Sequence, residues 1–540
     1  MATYYIDPVG GAGGNTGLSH AQALDSMPTF ASGNNYYIFR GTTYTGGLGT
    51  INNLSNIVVG SYWLDGGVET TTNTKNYSKP IITGVVTENT TIGDWVQVGS
   101  DPVWQLTVTG NHTLMGLGTL GWNIRSSYHG GGTAPHGTGL AAFTDSGYGY
   151  GQWDYTSGTL SIYSAGNPVS TWGSIFHIRD TIEGIKLLGS SSNITIENLE
   201  FNNFYPGIHL SGNTGTTDFE DTVIRNCDFE RCWFGVSFNL WTSGSISTNS
   251  KVLNNTFTDI GGGTAVRSFG PGTVENAPGL EIAFNYVLRI GAAEPVGGFY
   301  SKFIGSSNNP VLIHNNYVDT VYSWIAFWEF EFRCYYTENL SNNVRVYENY
   351  GRNATGGLHD NGGYNIEFYN NIIEDCDYGL GLSDAANANN GQVNMYNNTL
   401  GRVRIGINSN RGVSATACTL RVYNNIFISD NSGTSAYMYV DPNLDDIVDG
   451  ILEDNNCHYN FITGKARTIS GSLVHPEGEN NITTDPLLDD NYFPHAGYSP
   501  VINAGTTPPS NFDAYGRPNY GLHIGAVWPY VATSKTRRKL

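Results

Sequence analysis

The chain has 540 residues, with 46 acidic against 26 basic side chains, a formal charge of −20, and only 13% charged residues beside 69 glycines and 34 tyrosines. So much negative charge repels nucleic acid and anionic membranes at long range, which excludes a phosphate-tracking role. No stretch approaches the ~18 consecutive apolar residues of a membrane span, so no membrane insertion is expected.

Residues 1–30 read as an N-terminal cap, with YYIDPVGG as strand and turn and a short helix from Ser19 to Leu24 that takes Ser19 as its N-cap. The start MATYYIDPVGG has neither a basic n-region nor an apolar h-region, so no secretory signal is expected. Residues 31–174 hold the first irregular coils, in YYIFRG, IVVGSYW and KPIITG. They also hold an insertion at about 94–168, where DWVQVGSDPVWQL and GQWDYTSGTLSIYSAGNP read as hairpins.

From 175 to 465 one phrase returns about ten times: an alternating apolar run, then Asn or Asn-Asn, then an apolar residue. Asn198, Asn226, Asn254, Phe284, Asn315, Glu348, Asn370, Asn397, Asn424 and Asn455 mark it, at spacings of 22 to 33 residues. A period of that length with strand-like alternation specifies a solenoid whose unit is one coil of backbone, buried only against its neighbours. The fold class is all-β, a single-stranded parallel β-helix. The marker Asn is read as a turn residue that tolerates the left-handed region, stacked from coil to coil into an amide ladder. It is excluded from the site. Residues 466–540 are the C-terminal cap and tail. The six cysteines show no zinc or disulfide spacing and read as buried thiols.

The candidate site follows from stacking. Equivalent outward positions of adjacent coils lie ~4.8 Å apart, and the strands GIHLSG, GVSFNLW, TAVRSFG, GGFYSKF, SWIAFWEFEF, GGLHDNG, GLGLSDA and IGINSNR share one outward row. It contains His209, Trp241, Arg267, Tyr300, Lys302, Trp328, His359 and Asn408, giving aromatic platforms for sugar C–H faces and polar groups for hydroxyls. The densest chemistry is Glu329 and Glu331, two residues apart on one face, with Asp360 and Asp384 one and two coils on. Glycoside hydrolysis needs two carboxyl groups about 5–5.5 Å apart for retention or ~6.5–9.5 Å for inversion, and coil spacing supplies both. Trp328, Phe330 and Phe332 would raise the pKa of a neighbouring general acid. The competing reaction is a lyase on uronic acids, with Lys302, His359 or Arg267 acting at the C5 proton and the carboxylate. A third reading is a spike that grips glycan without cutting it. A pairing of Glu329 or Glu331 with Arg333 or Lys302 on a solvated surface is the plain structural alternative. No cofactor and no metal is called for.

The opening YYIDPVGGAGGNTGLSHAQAL, the insertion GQWDYTSGTLSIYSAGNP, and the closing DPLLDDNYFPHAGYSPVINAG with GRPNYGLHIGA resemble the right-handed parallel β-helix proteins of the pectate-lyase-like superfamily. That superfamily includes lyases, polygalacturonases, epimerases and bacteriophage tail spikes. The resemblance implies a right-handed helix and a polysaccharide partner, such as a host capsule or O-antigen. The polygalacturonase signatures and the pectate-lyase calcium pattern are absent, so no residue role is carried over. A tail-spike setting would imply a homotrimer on a virion beside other tail proteins. A secreted bacterial enzyme is the alternative.

Overall fold

Alternating burial along short strands builds this molecule, and the polar member of each pair faces away from the core. The computed structural model describes residues 1–540 apart from 73–76, 101–102, 110–111, 118–152, 157, 180–182, 213–216, 241–244, 262–263, 269–274, 291–296, 322–332, 338–340, 384–391, 411–418, 431–434, 441–450, 462, 468–479, 489–498, 502–503 and 506–540. Two units are distinguished, residues 1–303 with 318–332, and residues 304–317 with 333–540. Both have the construction of a right-handed parallel β-helix.

In the first unit each coil contributes a strand to three parallel stacks. The first stack holds Ser191–Glu197, Val223–Arg225, Lys251–Leu253 and Glu281–Ala283. The second, after the Asn turn, holds Glu200–Asn202, Asp228–Glu230, Thr256–Ile260 and Tyr286–Ile290. The third holds Ile185–Leu188, Ile208–Ser211, Phe234–Asn239, Thr264–Ser268 and Gly297–Ser301. Inside, Phe201, Phe229 and Phe257 stack at centroid spacings of 5.4 and 4.8 Å. Burying each such ring contributes ~1.5–3 kcal/mol, and the in-register stack fixes which coil lies on which.

The second unit repeats the pattern. Its first stack runs Val311–His314, Asn342–Tyr347, Tyr364–Tyr369, Gln392–Tyr396, Thr419–Tyr423 and Ile451–Asp454. Tyr350–Asp360 and Ile372–Ser383 each run on through the positions of both other stacks.

All ten marker residues of the repeat have φ between 52 and 59°. Asn tolerates that region best among residues with a Cβ, and here even Phe284 and Glu348 are held in it. The amide ladder is formed by the residue after the marker, a correction to the sequence reading. Asn349, Asn371, Asn398, Asn425 and Asn456 are linked by Nδ2 to Oδ1 hydrogen bonds of 2.9–3.1 Å. The backbone bends sharply at the first Asn, and the bend turns the second side chain inward. There it also donates to a carbonyl of the preceding coil, as Asn371 Nδ2 does to Val346 O at 2.9 Å. A second left-handed turn, after the second stack, carries charge: Arg289 grips Asp259 at 2.7 and 3.0 Å, and Arg402 grips Asp375 at 2.6 and 2.7 Å, all four at positive φ.

At the N-terminus, Thr3–Ile6 pairs with Asn35–Phe39, which pairs with Ser55–Asp65. The expected helix is a single 3-10 turn, His20–Gln22, and the Ser19 side chain makes no cap bond. Leu24 is drawn instead into a bridge with Ile6, so the backbone that would have continued the helix is spent on strand pairing. The insertion forms two antiparallel sheets. One comprises Val86–Asn89, His112–Leu117 and Ile175–Arg179, and the other Val96–Gln97, Val103–Thr107, Trp153–Thr156 and Thr159–Tyr163. Their core of Trp95, Leu106, Leu160, Ile162, Val169 and Ile175 continues into Trp233 and Phe234 of the coils.

Candidate active site

The outward positions of the third stack in the first unit lie in register: Thr50, Lys186, His209, Ser237, Arg267 and Tyr300. Lys186, His209, Ser237 and Arg267 each follow an inward aliphatic residue, so alternation alone points them out. What alternation does not give is the burial: His209 is 8% exposed, Arg267 6%, and Ser237 is buried between them. Charged groups removed from water on an outward face need partners.

They have them. Glu183, in the turn that enters Ile185–Leu188, receives Lys186 Nζ at 3.0 Å and lies 2.5 Å from His209 Nδ1 through the same Oε1. Burial pushes the Glu183 carboxyl up, but the hydrogen bonds and positive charges of His209 and Lys186 outweigh it and hold the group below its ordinary value. Two coils along, the Arg267 guanidinium lies 3.3 Å from the Phe234 ring centroid, a cation–π contact, and its Nε donates to Ser237 Oγ at 3.3 Å. Ser237 Oγ in turn donates to Asn239 Oδ1 at 3.1 Å. Because Phe234 also belongs to the insertion's core, the subdomain fixes the platform on which Arg267 rests.

The second stack adds two carboxylates in register, Glu200 and Asp228. Lys79 Nζ lies 2.6 Å from Asp228. The Glu200 carboxyl is raised, first by burial and then by the charges of Asp228 and Glu230, against the hydrogen bond from Asn202. One carboxyl pushed down and another pushed up is the kind of separation that acid–base chemistry on a glycosidic bond uses.

In the second unit the corresponding register row is Tyr336, His359, Gly381, Asn408 and Tyr439. His359 is 1% exposed and its Nδ1 lies 3.4 Å from Tyr378 Oη. Its ring occupies the room left by Gly381, where a Cβ would come within 2.3 Å of Nδ1. Asn408 Oδ1 is buried with no hydrogen-bond partner among the described residues.

The structure therefore keeps His209, Arg267, His359 and Asn408 on outward rows within their own units, and Tyr300 takes the register position next to Arg267. Asp360 departs from expectation: it is fully buried, on the side of the strand shared with Leu358 and opposite His359, and accepts the Gly363 N–H at 3.1 Å. Adjacent residues of one strand face opposite ways, so His359 and Asp360 do not share the row. Lys302, half-buried, follows its strand, and its N–H donates to Ser268 Oγ at 2.5 Å. Trp241, Trp328, Glu329, Glu331 and Asp384 lie outside the described residues. Sequence reasoning missed Glu183 and Lys186, although GIKLLG repeats the phrase of GIHLSG one coil earlier. Cys227, Cys232, Cys376 and Cys457 are free and buried. Among the described residues no group of three or more His, Cys, Asp or Glu is placed to hold a metal ion, and no helix is long and apolar enough to cross a membrane.

No protein-family model and no curated protein matches the chain. Among solved structures it is similar to XylC in complex with xylose, at 12% identity over 90% of this chain and 87% of that one, with a TM-score of 0.55. It is also similar to the GH136 lacto-N-biosidase of Eubacterium ramulus, at 13% identity over 84% of this chain and 67% of that one, with a TM-score of 0.51. At these identities the likeness is one of fold, the right-handed parallel β-helix.

Proposed function

We propose that this protein is a glycan-degrading enzyme, a glycoside hydrolase that works on the outward face of its third strand stack. The observation that carries the reading is the cluster of buried His209 with half-buried Glu183 and Lys186, in which a carboxyl is held below its ordinary value beside groups that donate to hydroxyls. Glu183 serves as nucleophile or base, and Arg267, His209 and Lys186 hold the sugar. Glu329 and Glu331, the carboxyl pair of the long aromatic coil, are a separate candidate pair, because that coil follows Tyr300, already four register steps of ~4.8 Å from Lys186. The sugar chemistry in the names of the two similar structures, xylose and a lacto-N-biosidase, supports a saccharide substrate.

Glu183→Gln, Glu329→Gln and Glu331→Gln, assayed for new reducing ends on neutral and acidic polysaccharides, test the assignment. Loss in Glu183→Gln, in a variant that is still folded at the assay temperature, supports it; full activity in Glu183→Gln removes it, and loss in Glu329→Gln or Glu331→Gln alone moves the chemistry to the aromatic coil. One observation favours a second reading. The basic side chains Lys186, His209 and Arg267 stand in register on a chain of charge −20, which suits a uronate substrate and a lyase. Absorbance from a new C4–C5 double bond would mark that outcome. A homotrimeric tail-spike setting on a virion remains part of the proposal, and sedimentation at micromolar concentration tests it: a monomer speaks against it.

A further inference from the structure

We propose that the inserted antiparallel subdomain carries a second glycan-binding cleft, separate from the outward row and selective for an uncharged saccharide chain. The inference rests on the reading that the protein acts on glycans. Between the two sheets of the insertion lies an open cleft of about 490 Å³. Asn89 and His177 line it from one sheet, Gln105, Thr107 and Thr159 from the other, and Asp94 from the turn that joins them.

The chemistry of the lining selects the ligand. Amides, hydroxyls, an imidazole and a carboxylate donate to and accept from sugar hydroxyls. Among the described residues no lysine or arginine lines the cleft, and Asp94 would repel an anion, so a uronate or a phosphate is disfavoured. Val96, which also lines the cleft, is 64% exposed, apolar surface of the kind the C–H faces of a pyranose cover. The polar groups are already set: Asn89 Nδ2 donates to Asp94 Oδ2 at 3.0 Å, Trp95 Nε1 donates to Asn89 Oδ1 at 3.0 Å, and Gln105 Nε2 donates to Ser161 Oγ at 3.3 Å. A preset lining binds without an ordering cost. An open rather than enclosed shape fits the middle of a polymer. The core beneath these strands includes Phe234, the platform of Arg267, so the cleft is built on the same packed cluster as the outward row.

The test uses the full chain and the double variant Gln105→Ala/Thr107→Ala, in native gels cast with arabinoxylan or galactomannan and with polygalacturonate as the charged control. The wild type is expected to be retarded by a neutral polymer and the variant to need at least tenfold more polymer for equal retardation. Turnover of a trisaccharide should be unchanged, while KM rises on the polymer alone. Thr159→Lys, which brings a cation into the cleft at a strand end, should repeat the loss of neutral binding if the double variant folds poorly. Equal retardation of wild type and variants overturns the inference, as does an equal loss on short and long substrates, or no retardation of the wild type by either neutral polymer. Retardation without any cleavage would leave the cleft standing and remove the proposed hydrolase.

Discussion

His209 Nδ1 lies 2.5 Å from Glu183 Oε1, and the two residues come from adjacent coils. The contact ties a turn of one coil to the outward row of the next and keeps a carboxylate charged in a site largely closed to water. Removing that charge by Glu183→Gln is expected to cut glycan turnover by roughly a hundredfold or more, the range of a lost acid–base or nucleophilic group, in a variant that still unfolds cooperatively but at a lower midpoint at neutral pH. Kinetics beside a thermal melt check it.

Two carboxyl groups should respond to pH with opposite sign. Glu183 has a folded pKa below its unfolded value, so its contribution to stability is present above the ordinary carboxylate range and is lost as pH falls through the lowered folded value. Melts of wild type and Glu183→Gln should differ at pH 6 and converge in acid. Glu200 is raised, by burial first and then by Asp228 and Glu230. Its stabilising protonated form is complete at low pH and is lost as pH rises through the raised value. Glu200→Gln should therefore gain stability over wild type at neutral pH and match it in acid.

Neighbouring asparagines should prove unequal. Asn370 has φ 54°, a conformation glycine adopts freely, so Asn370→Gly is expected to change stability by less than about 1 kcal/mol. Asn371 is fully buried, with Nδ2 bonded to Val346 O and Asn398 Oδ1, and Oδ1 bonded to Asn349. Asn371→Ala leaves those groups unpaired and should cost roughly 2–4 kcal/mol. Urea unfolding of both variants decides, and equal costs would contradict the ladder.

Gly381 should behave as part of the His359 environment. A methyl there would stand 2.3 Å from His359 Nδ1 and 2.5 Å from the Tyr378 ring, so Gly381→Ala must displace the imidazole. If His359 serves the reaction, Gly381→Ala and His359→Ala should lower turnover alike, and the NMR titration of His359 should shift in the glycine variant. If neither variant loses activity, His359 is structural.

The repeat was legible because a turn leaves a mark that alternation around it makes plain: every marker residue from Asn198 to Asn455 has positive φ. The ladder was displaced by one residue because sequence shows that two asparagines adjoin but not which one the bend turns inward. Alternation likewise gave the side His209, Arg267 and His359 face without showing that they are buried. The same alternation, applied strictly, separates Asp360 from His359. Glu183 was missed because a turn residue belongs to no strand pattern. Its role appears only when the next coil brings His209 to it. The charged left-handed turns at Asp259, Arg289, Asp375 and Arg402 had no sequence signal, since aspartate and arginine there are held by each other across coils.

The most direct measurement is the parallel release of reducing ends and of ultraviolet absorbance by wild type and Glu183→Gln on a panel of neutral and uronate polysaccharides. Reducing ends without absorbance from the wild type, lost in Glu183→Gln, is the expected result. Undiminished cleavage by Glu183→Gln, or no cleavage of any polymer by the wild type, would contradict it.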